Sequence, residues 1–247
     1  MREKVINFLK QHPKVLDFFW TLARRSLQFF GVFTRPQKKI VFASFGGRKY
    51  DDSPRAIYEE ICKNGIFTGW DLVWAFVAPG EYRIPRGRKV KIDTLQFFHE
   101  LLTAKVWVSN SGMDRGIELQ KKGIVKVETW HGAPLKKIGG DENQTSMIVK
   151  KDLSRIPFDC TTIRCAQSEY DLEIFMRIFH ATKDSFLLSD LPRNDELLSY
   201  SSQRLGEIKK SLGIPENKSI ILYAPTYRRS EERRVGKECR SRWSPYH

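Results

Sequence analysis

The chain has 247 residues, of which 40% are hydrophobic and 16 are phenylalanine, and its formal net charge is +14. This composition excludes a disordered chain and is sufficient for the core of one large or two small domains. The positive charge favours anionic partners, namely nucleic acid, anionic lipid or a phosphorylated substrate, and composition does not choose among them. The four cysteines form no CxxC pair, so the sequence indicates neither a zinc site nor a disulfide framework, and a cytoplasmic location is the default.

Residues 1–38 form a basic segment that is rich in aromatic side chains. Its apolar residues recur at helical spacing on both sides of Pro13, which predicts two short amphipathic helices. No apolar run reaches the roughly 18 residues of a membrane-spanning helix, and the segment lacks the pattern of a signal peptide. Two interpretations stay open: the helices lie on an anionic membrane, or they cover the core of the first domain.

From residue 39 onward, strand and helix patterns alternate without hairpin signals. Strands are predicted at residues 40–45, 71–77, 106–109, 124–129 and 161–166, and helices at 53–63, 94–104, 115–121 and 168–180. This order predicts an α/β domain with a parallel sheet, spanning residues 39–187.

A second unit, residues 188–228, contains a helical pattern up to Leu212 and one predicted strand at 219–223. Because a single strand cannot form a sheet or a core, this unit is expected to be only the start of a domain. Residues 229–247 show no helical or strand period and resemble the translation of a sequencing adapter. We therefore expect this segment to be non-native, a native basic tail being the alternative.

Polar clusters follow three of the predicted strands, at residues 46–48, 109–112 and 131–132. Ligands of parallel α/β sheets bind beyond the carboxyl ends of the strands, so these clusters predict a site at that edge. The cluster at 46–48 precedes a predicted helix start, which is a common place for an anion, although the motif is neither GxGxxG nor a P-loop.

His131 is the candidate reactive group, because an imidazole can accept a proton from an alcohol near neutral pH. Gly132 leaves room for a substrate, Pro134 fixes the turn, and Lys136 and Lys137 supply positive charge suited to phosphate. The alternative is a histidine that caps a helix beside two solvated lysines.

Two later stretches are weaker candidates. Arg193, Asn194 and Asp195 can bind a phosphate or a sugar, or can simply start a helix, and their chemistry alone favours the helix start. Pro225 and Thr226 follow the last predicted strand and offer backbone groups and a hydroxyl.

The stretch TWHGAPLKKIGGD, residues 129–141, resembles the TWHGTPLKKIG signature of the CDP-glycerol glycerophosphotransferase family. FGGRKYDDSPRAIYEEI, VWVSNSG, CAQSEYDLEIF, LPRND and ILYAPTYR resemble further blocks of that family in the same order, from about Lys39 to Arg228. Ala133 stands where threonine is usual, which removes a hydroxyl. The family's second domain continues beyond YAPTYR with a second histidine and a serine-rich stretch that binds pyrophosphate, and this sequence lacks both.

The resemblance implies a GT-B-like pair of Rossmann-type domains, the first complete and the second only begun. It implies that His131 is the general base on the hydroxyl of an acceptor, whose oxygen attacks the β-phosphate of CDP-glycerol and expels CMP. Residues implied on the acceptor side are Gly46, Arg48, Asn110, Ser111, Gly132, Pro134, Lys136, Lys137 and Asp141. Residues implied for the phosphates of the donor are Arg193, Asn194, Asp195, Pro225, Thr226 and Arg228. No metal or cofactor is expected besides the substrate CDP-glycerol.

The expected function is transfer of glycerol phosphate to a polyprenyl-linked acceptor in teichoic acid (cell-wall polymer) biosynthesis, peripherally at the cytoplasmic face of a bacterial membrane. The resemblance favours the membrane interpretation of residues 1–38, and this chain alone is expected to be an inactive fragment. The alternatives are a ribitol-phosphate transferase or another GT-B glycosyltransferase. A nucleic-acid-binding protein is disfavoured because no recognised binding module appears.

Overall fold

The computed structural model describes residues 12–113, 121–135, 137–138, 162–198, 200–215 and 217–223. The helices are α1 (Pro13–Val32), α2 (Asp52–Lys63), α3 (Leu95–Thr103), α4 (Glu169–Ile178), α5 (Asp195–Leu198) and α6 (Ser202–Ser211). The strands are β1 (Gln37–Ala43), β2 (Asp71–Phe76), β3 (Arg88–Lys91), β4 (Ala104–Ser109), β5 (Val125–Glu128), β6 (Thr162–Ala166) and β7 (Phe186–Leu188).

All seven strands form one sheet in the order β3-β2-β1-β4-β5-β6-β7, and every neighbouring pair is parallel. The predicted parallel α/β sheet is therefore confirmed. The strand order reverses between β1 and β4, as in Rossmann-type sheets. In open α/β sheets, ligands bind at the carboxyl ends of the strands beside such a reversal.

The two faces of β1 build separate parts of the core. Val41 and Ala43 face the cluster that includes Phe97 and Leu101 of α3, whereas Ile40 and Phe42 face the cluster around Tyr58 of α2. Both faces of a central parallel strand are covered by helices, which explains why β1 reads as a continuous apolar run. Each fully buried side chain of this kind stabilises the fold by roughly 1.5–3 kcal/mol.

Four charged residues pair at the amino ends of β1, β2 and β3. Lys39 Nζ donates to Glu100 Oε2 and to Thr103 Oγ1, both at 2.7 Å. Arg88 Nη2 donates to Asp71 Oδ2 at 2.9 Å and to Glu100 Oε2 at 2.6 Å. Burial raises the pKa of Glu100, but the hydrogen bonds from Arg88 and Lys39 outweigh it, so that pKa lies below its ordinary value.

Helix α1 is a single helix of 20 residues that begins at Pro13, where a proline lacks an amide hydrogen that the helix does not need. The other predicted helix of this segment lies outside the described residues. Leu27 packs against the core, and a Cβ on Gly31 would lie 3.3 Å from Leu102 Cδ2, so one side of α1 covers the sheet. Within the described residues, no helix is long and apolar enough to cross a membrane.

The sequence predicted most elements but misplaced some ends. Helix α2 begins at Asp52, one residue before the predicted start, and α3 begins at Leu95, one residue after it, with Asp51 and Thr94 as their caps. Ser168, where the fourth helix was predicted to start, caps α4, because its Oγ accepts from the amide of Asp171 at 3.2 Å. Strands β3 and β7 were not predicted, since β3 is short and basic and β7 has only three residues.

The chain divides into two compact units between residues 199 and 200. The boundary predicted at residue 188 lies inside the first unit, because β7 pairs with β6 and the turn after it packs against α2. In the second unit, α6 forms as predicted, although the predicted helix running to Leu212 is divided into α5 and α6. The strand predicted at 219–223 is wrong: these residues form no regular structure, and no neighbouring strand is described there for them to pair with.

Candidate functional site

The three predicted polar clusters meet beyond the carboxyl ends of β1, β4 and β5. The amide of Phe45 donates to Asn110 Oδ1 at 2.8 Å, and the amide of Gly46 donates to Ser111 Oγ at 3.0 Å. His131 Nδ1 lies 2.8 Å from the carbonyl oxygen of Asn110. The loop after β4 therefore holds both the loop after β1 and the histidine after β5.

The contact with Asn110 determines which nitrogen of His131 carries the proton. A carbonyl oxygen only accepts hydrogen bonds, so Nδ1 must be the donor. In the neutral imidazole Nε2 then has no hydrogen and keeps its lone pair. Because the His131 side chain is exposed, this lone pair is accessible to a substrate hydroxyl.

Trp130 fixes the other side of the histidine. Its ring stacks on the imidazole with 4.4 Å between centroids, and its edges meet Phe175 at 5.6 Å and Phe179 at 5.2 Å. The backbone of Trp130 is left-handed, with φ of 57°. Such a conformation costs a bulky residue about 1–3 kcal/mol and persists only where the surroundings enforce it, which is common at functional sites.

The loop after β1 is also left-handed, at Phe45 (φ 47°), Gly46 (φ 63°) and Gly47 (φ 81°). A Cβ on Gly47 would lie 3.1 Å from the carbonyl oxygen of Ala75, so both backbone angle and space require glycine there. The Phe45 ring lies 6.0 Å from the His131 ring. Phe45 therefore forms a wall of the site beside the imidazole.

Asn110 was predicted to bind substrate, but the structure gives its side chain a different role. It is 1% exposed, its Oδ1 accepts from Phe45, and its Nδ2 donates to Ser44 Oγ at 3.3 Å. A buried amide with both ends engaged within the protein positions the site rather than contacting a ligand. Ser111 is half-buried, and its oxygen accepts from Gly46.

The rest of the histidine loop is only partly described. Gly132 has open space, since a Cβ there would meet no atom within 4 Å, so the described fold does not itself require glycine. Pro134 is buried and Lys137 is exposed. Lys136 and Asp141 lie outside the described residues, as do Pro225, Thr226, Arg228, the segment 229–247 and most of the helix predicted at 115–121.

In such a sheet, the amino end of the helix that corresponds to α2 commonly binds an anion. Here two carboxylates of the chain accept hydrogen bonds from the first amides of α2. Asp51 Oδ1 accepts from the amide of Asp52 at 2.7 Å, and Asp52 Oδ1 accepts from the amide of Ser53 at 2.6 Å. Asp52 Oδ2 pairs with Arg193 Nη1 at 2.7 Å, and the carboxylate of Asp52 is buried. These carboxylates occupy the position that a phosphate would take.

Arg193, Asn194 and Asp195 are therefore engaged within the first unit. Arg193 neutralises Asp52, Asn194 Nδ2 donates to Asp190 Oδ1 at 3.0 Å, and Asp195 is the first residue of α5. The structure favours the helix-start interpretation of these three residues. Their predicted role at the phosphates of a donor stays a prediction.

Sequence reasoning missed four residues that shape this edge. Phe45 and Trp130 were overlooked because aromatic residues after strands usually belong to the core. The exposed Lys49 follows Arg48 directly and lies 5.6 Å from the centre of the Phe45 ring, and Asp52 forms the ion pair with Arg193. The paired acids before a helix were the signal for Asp52. Among the described residues, no group of three or more His, Cys, Asp or Glu side chains could hold a metal ion.

The chain is similar to known proteins over most of its length. The family model described as CDP-Glycerol:Poly(glycerophosphate) glycerophosphotransferase matches residues 27–242, a range that includes much of the segment predicted to be non-native. A teichoic acid poly(glycerol phosphate) polymerase of Staphylococcus epidermidis is 32% identical over 78% of this chain, which covers 28% of that protein. A teichoic acid glycerol-phosphate transferase of Staphylococcus aureus is 30% identical over 81% of this chain and is covered to 53%.

Solved structures lead to the same family. The wall teichoic acid polymerase TagF superposes with a TM-score of 0.70 at 27% identity, over 94% of this chain and 58% of TagF, which confirms the predicted fold class. A TagF variant soaked with CDPG gives a TM-score of 0.69 at 29% identity, over 87% of this chain and 58% of that one. The chain thus spans only about half of these structures. Because the family model matches most of the sequence, the chain belongs to the CDP-glycerol:poly(glycerophosphate) glycerophosphotransferase family.

Proposed function

We propose that this chain supplies the acceptor side of an enzyme that transfers glycerol phosphate from CDP-glycerol to a hydroxyl-terminated acceptor in teichoic acid synthesis. The observation that carries the proposal is the orientation of His131, whose Nδ1 donates to the Asn110 carbonyl and leaves Nε2 as an exposed base. The family membership and the TagF variant soaked with CDPG support the choice of donor.

In the proposed reaction, His131 Nε2 removes the proton from the acceptor hydroxyl while that oxygen attacks the β-phosphorus of CDP-glycerol. A new P–O bond forms, the bond to the bridging oxygen breaks, and CMP leaves with the bond electrons. The acceptor then carries one more glycerol phosphate. Phosphoryl transfer depends mostly on positioning and charge stabilisation, so the rigid hold on His131 matters as much as its basicity.

We further propose that the acceptor is polyprenyl-linked and that α1 places the enzyme peripherally on the cytoplasmic face of the membrane. Phe18, Leu22, Phe29 and Phe33 are all more than half exposed. At 3.6 residues per turn they project within about 60° of one another, opposite Leu27, which packs on the core. An exposed apolar stripe on a basic segment is suited to the interface of an anionic bilayer.

The test of the transfer is release of CMP from CDP-glycerol by the product of the complete reading frame. His131→Ala should lower turnover by roughly 10²–10⁴-fold, as loss of a general base does, with an unchanged circular dichroism spectrum. His99→Ala is the matched control, because His99 is exposed on α3 and outside the site. A less than tenfold loss for His131→Ala would remove the base from the mechanism.

Sedimentation with vesicles tests the membrane contact. Replacing Phe29 and Phe33 by serine should reduce binding to phosphatidylglycerol vesicles by about tenfold, because the insertion of two aromatic rings is lost. The control replaces Ile66 and Leu95, two exposed apolar residues elsewhere on the surface. Equal losses in both double variants would show that α1 is not the membrane contact.

A further inference from the structure

Three exposed cations lie on the β1, β2 and β3 side of the sheet from the histidine, which follows β5. Arg48 and Lys49 follow the left-handed turn after β1, and Lys89 lies in the edge strand β3. The mechanism proposed above uses none of these as the base. We call Arg48, Lys49 and Lys89 the basic track.

A chain of ring contacts joins the track to the site. The ammonium group of Lys49 lies 5.6 Å from the centre of the Phe45 ring, which itself lies 6.0 Å from the centre of the His131 ring. Lys49 also forms an antiparallel bridge with Ser44, so its backbone is held against the end of β1. A positive charge therefore stands one aromatic ring away from the imidazole.

Tyr82 connects the other two members. Its Oη donates to the carbonyl oxygen of Arg48 at 2.5 Å, and its own carbonyl oxygen accepts from Lys89 Nζ at 2.8 Å. Its ring stacks on Phe76 with 4.5 Å between centroids, which fixes Tyr82 on the edge of the core. The contacts therefore lead from His131 through Phe45 to Lys49, and through Tyr82 from the backbone of Arg48 to Lys89, with Asp51 and Glu81 as the exposed acids of the loops after β1 and β2.

A row of separated cations complements a ligand that carries regularly spaced negative charges. A single phosphate would engage one member, whereas a phosphodiester polymer can contact all three. A nucleic acid fits less well, because the half-buried rings along the row already pack within the protein, Phe45 against Lys49 and His131 and Tyr82 against Phe76.

We propose that the basic track binds the phosphodiester backbone of the growing acceptor while its terminal hydroxyl lies at His131. This inference rests on the proposed function and specifies the phosphodiester backbone as the part of the acceptor that the surface recognises. It predicts that acceptors with several glycerol-phosphate units bind better than those with one. It also predicts that the difference shrinks as salt rises, because the contacts are exposed ion pairs.

Binding of labelled poly(glycerol phosphate) oligomers of defined length to the 247-residue chain tests the track directly. Lys49→Gln with Lys89→Gln should weaken the binding of long oligomers by about tenfold at low salt and flatten the salt dependence. The control is Lys38→Gln with Lys105→Gln, an equal change of charge on exposed lysines near the amino ends of β1 and β4, which should change binding by less than about twofold. Thermal unfolding of both variants checks that they are folded.

Three results of the binding experiment would overturn the proposal. The first is an equal loss of binding in the two double variants. The second is competition by inorganic phosphate that is as effective as competition by the oligomer at equal phosphate concentration, and the third is equally tight binding of single-stranded DNA that depends on the track.

A transfer experiment with the product of the complete reading frame separates this inference from the proposed function. It compares transfer to long acceptors with transfer to single-unit acceptors. If the wild type transfers but the track and control variants show the same dependence on acceptor length, only the track is wrong. If the wild type transfers to no acceptor, the proposed function fails, and the binding experiment still judges the track.

Discussion

The two edges of the sheet hold polar residues in different ways. At the amino ends of the strands, Lys39, Glu100, Arg88 and Asp71 satisfy one another, and Lys39 and Glu100 are almost fully buried. At the carboxyl ends, hydrogen bonds from neighbouring loops hold an exposed histidine. One edge pairs its charges with one another, whereas the other keeps an imidazole accessible.

Backbone strain divides the edges in the same way. Phe45, Asp52 and Trp130 are left-handed residues at the carboxyl edge, although none is glycine. The four residues of the amino-edge network have no such angles. Most of the described left-handed residues other than glycine thus lie at the carboxyl edge, where the site is built, and His180 after α4 is the exception.

The amino edge should give the largest loss of stability. Glu100→Ala leaves the buried ammonium of Lys39 without its carboxylate, so the free energy of unfolding should fall by about 3–5 kcal/mol in urea titrations. Glu81→Ala removes an exposed acid and should change it by less than about 0.5 kcal/mol. Similar values for the two variants would show that the amino-edge network does not stabilise the fold.

The ion pair at the carboxyl edge should contribute less. Arg193→Gln leaves the carboxylate of Asp52 without its cation, but Arg193 is partly exposed and solvent can compensate, so we expect a loss of about 1–3 kcal/mol. Adding Asp52→Asn should recover part of it, which a double-mutant cycle measures.

The exposed pair of Arg204 and Glu207, 3.2 Å apart on α6, is the matched control for that cycle. Its coupling energy should lie near zero to 0.5 kcal/mol, as for most surface ion pairs. A coupling between Asp52 and Arg193 no larger than this would mean that the pair does not anchor the turn before α5 to α2.

The sequence predicted the sheet because its strands are buried runs between well-marked helices, as at residues 40–43 and 71–76. It missed β3 because this strand has four residues and only one of them, Val90, is apolar, so the stretch resembles a loop. The sequence also predicted that Gly46, Ser111 and His131 lie close together, because parallel strands end at a common edge.

Other parts of the site depend on contacts between residues far apart in the sequence. Asn110 was predicted to bind substrate because it is polar and follows a strand. In the folded chain its side-chain amide is buried and forms hydrogen bonds with Phe45 and Ser44. Arg193 pairs with Asp52, 141 residues away. No local pattern encodes such pairs, so only the folded chain reveals which polar groups remain available to a ligand.

The protonation state of His131 tests the central claim most directly, and the 247-residue chain suffices for it. Long-range ¹H–¹⁵N correlation spectra near neutral or mildly alkaline pH, assigned by comparison with His131→Ala, distinguish the two neutral forms of the imidazole. We predict that Nδ1 carries the hydrogen and that Nε2 shows the shift of an unprotonated nitrogen. A hydrogen on Nε2 and none on Nδ1 would contradict this prediction. The Asn110 carbonyl would then accept no hydrogen bond from the imidazole, and Nε2 would have no lone pair with which to act as a base.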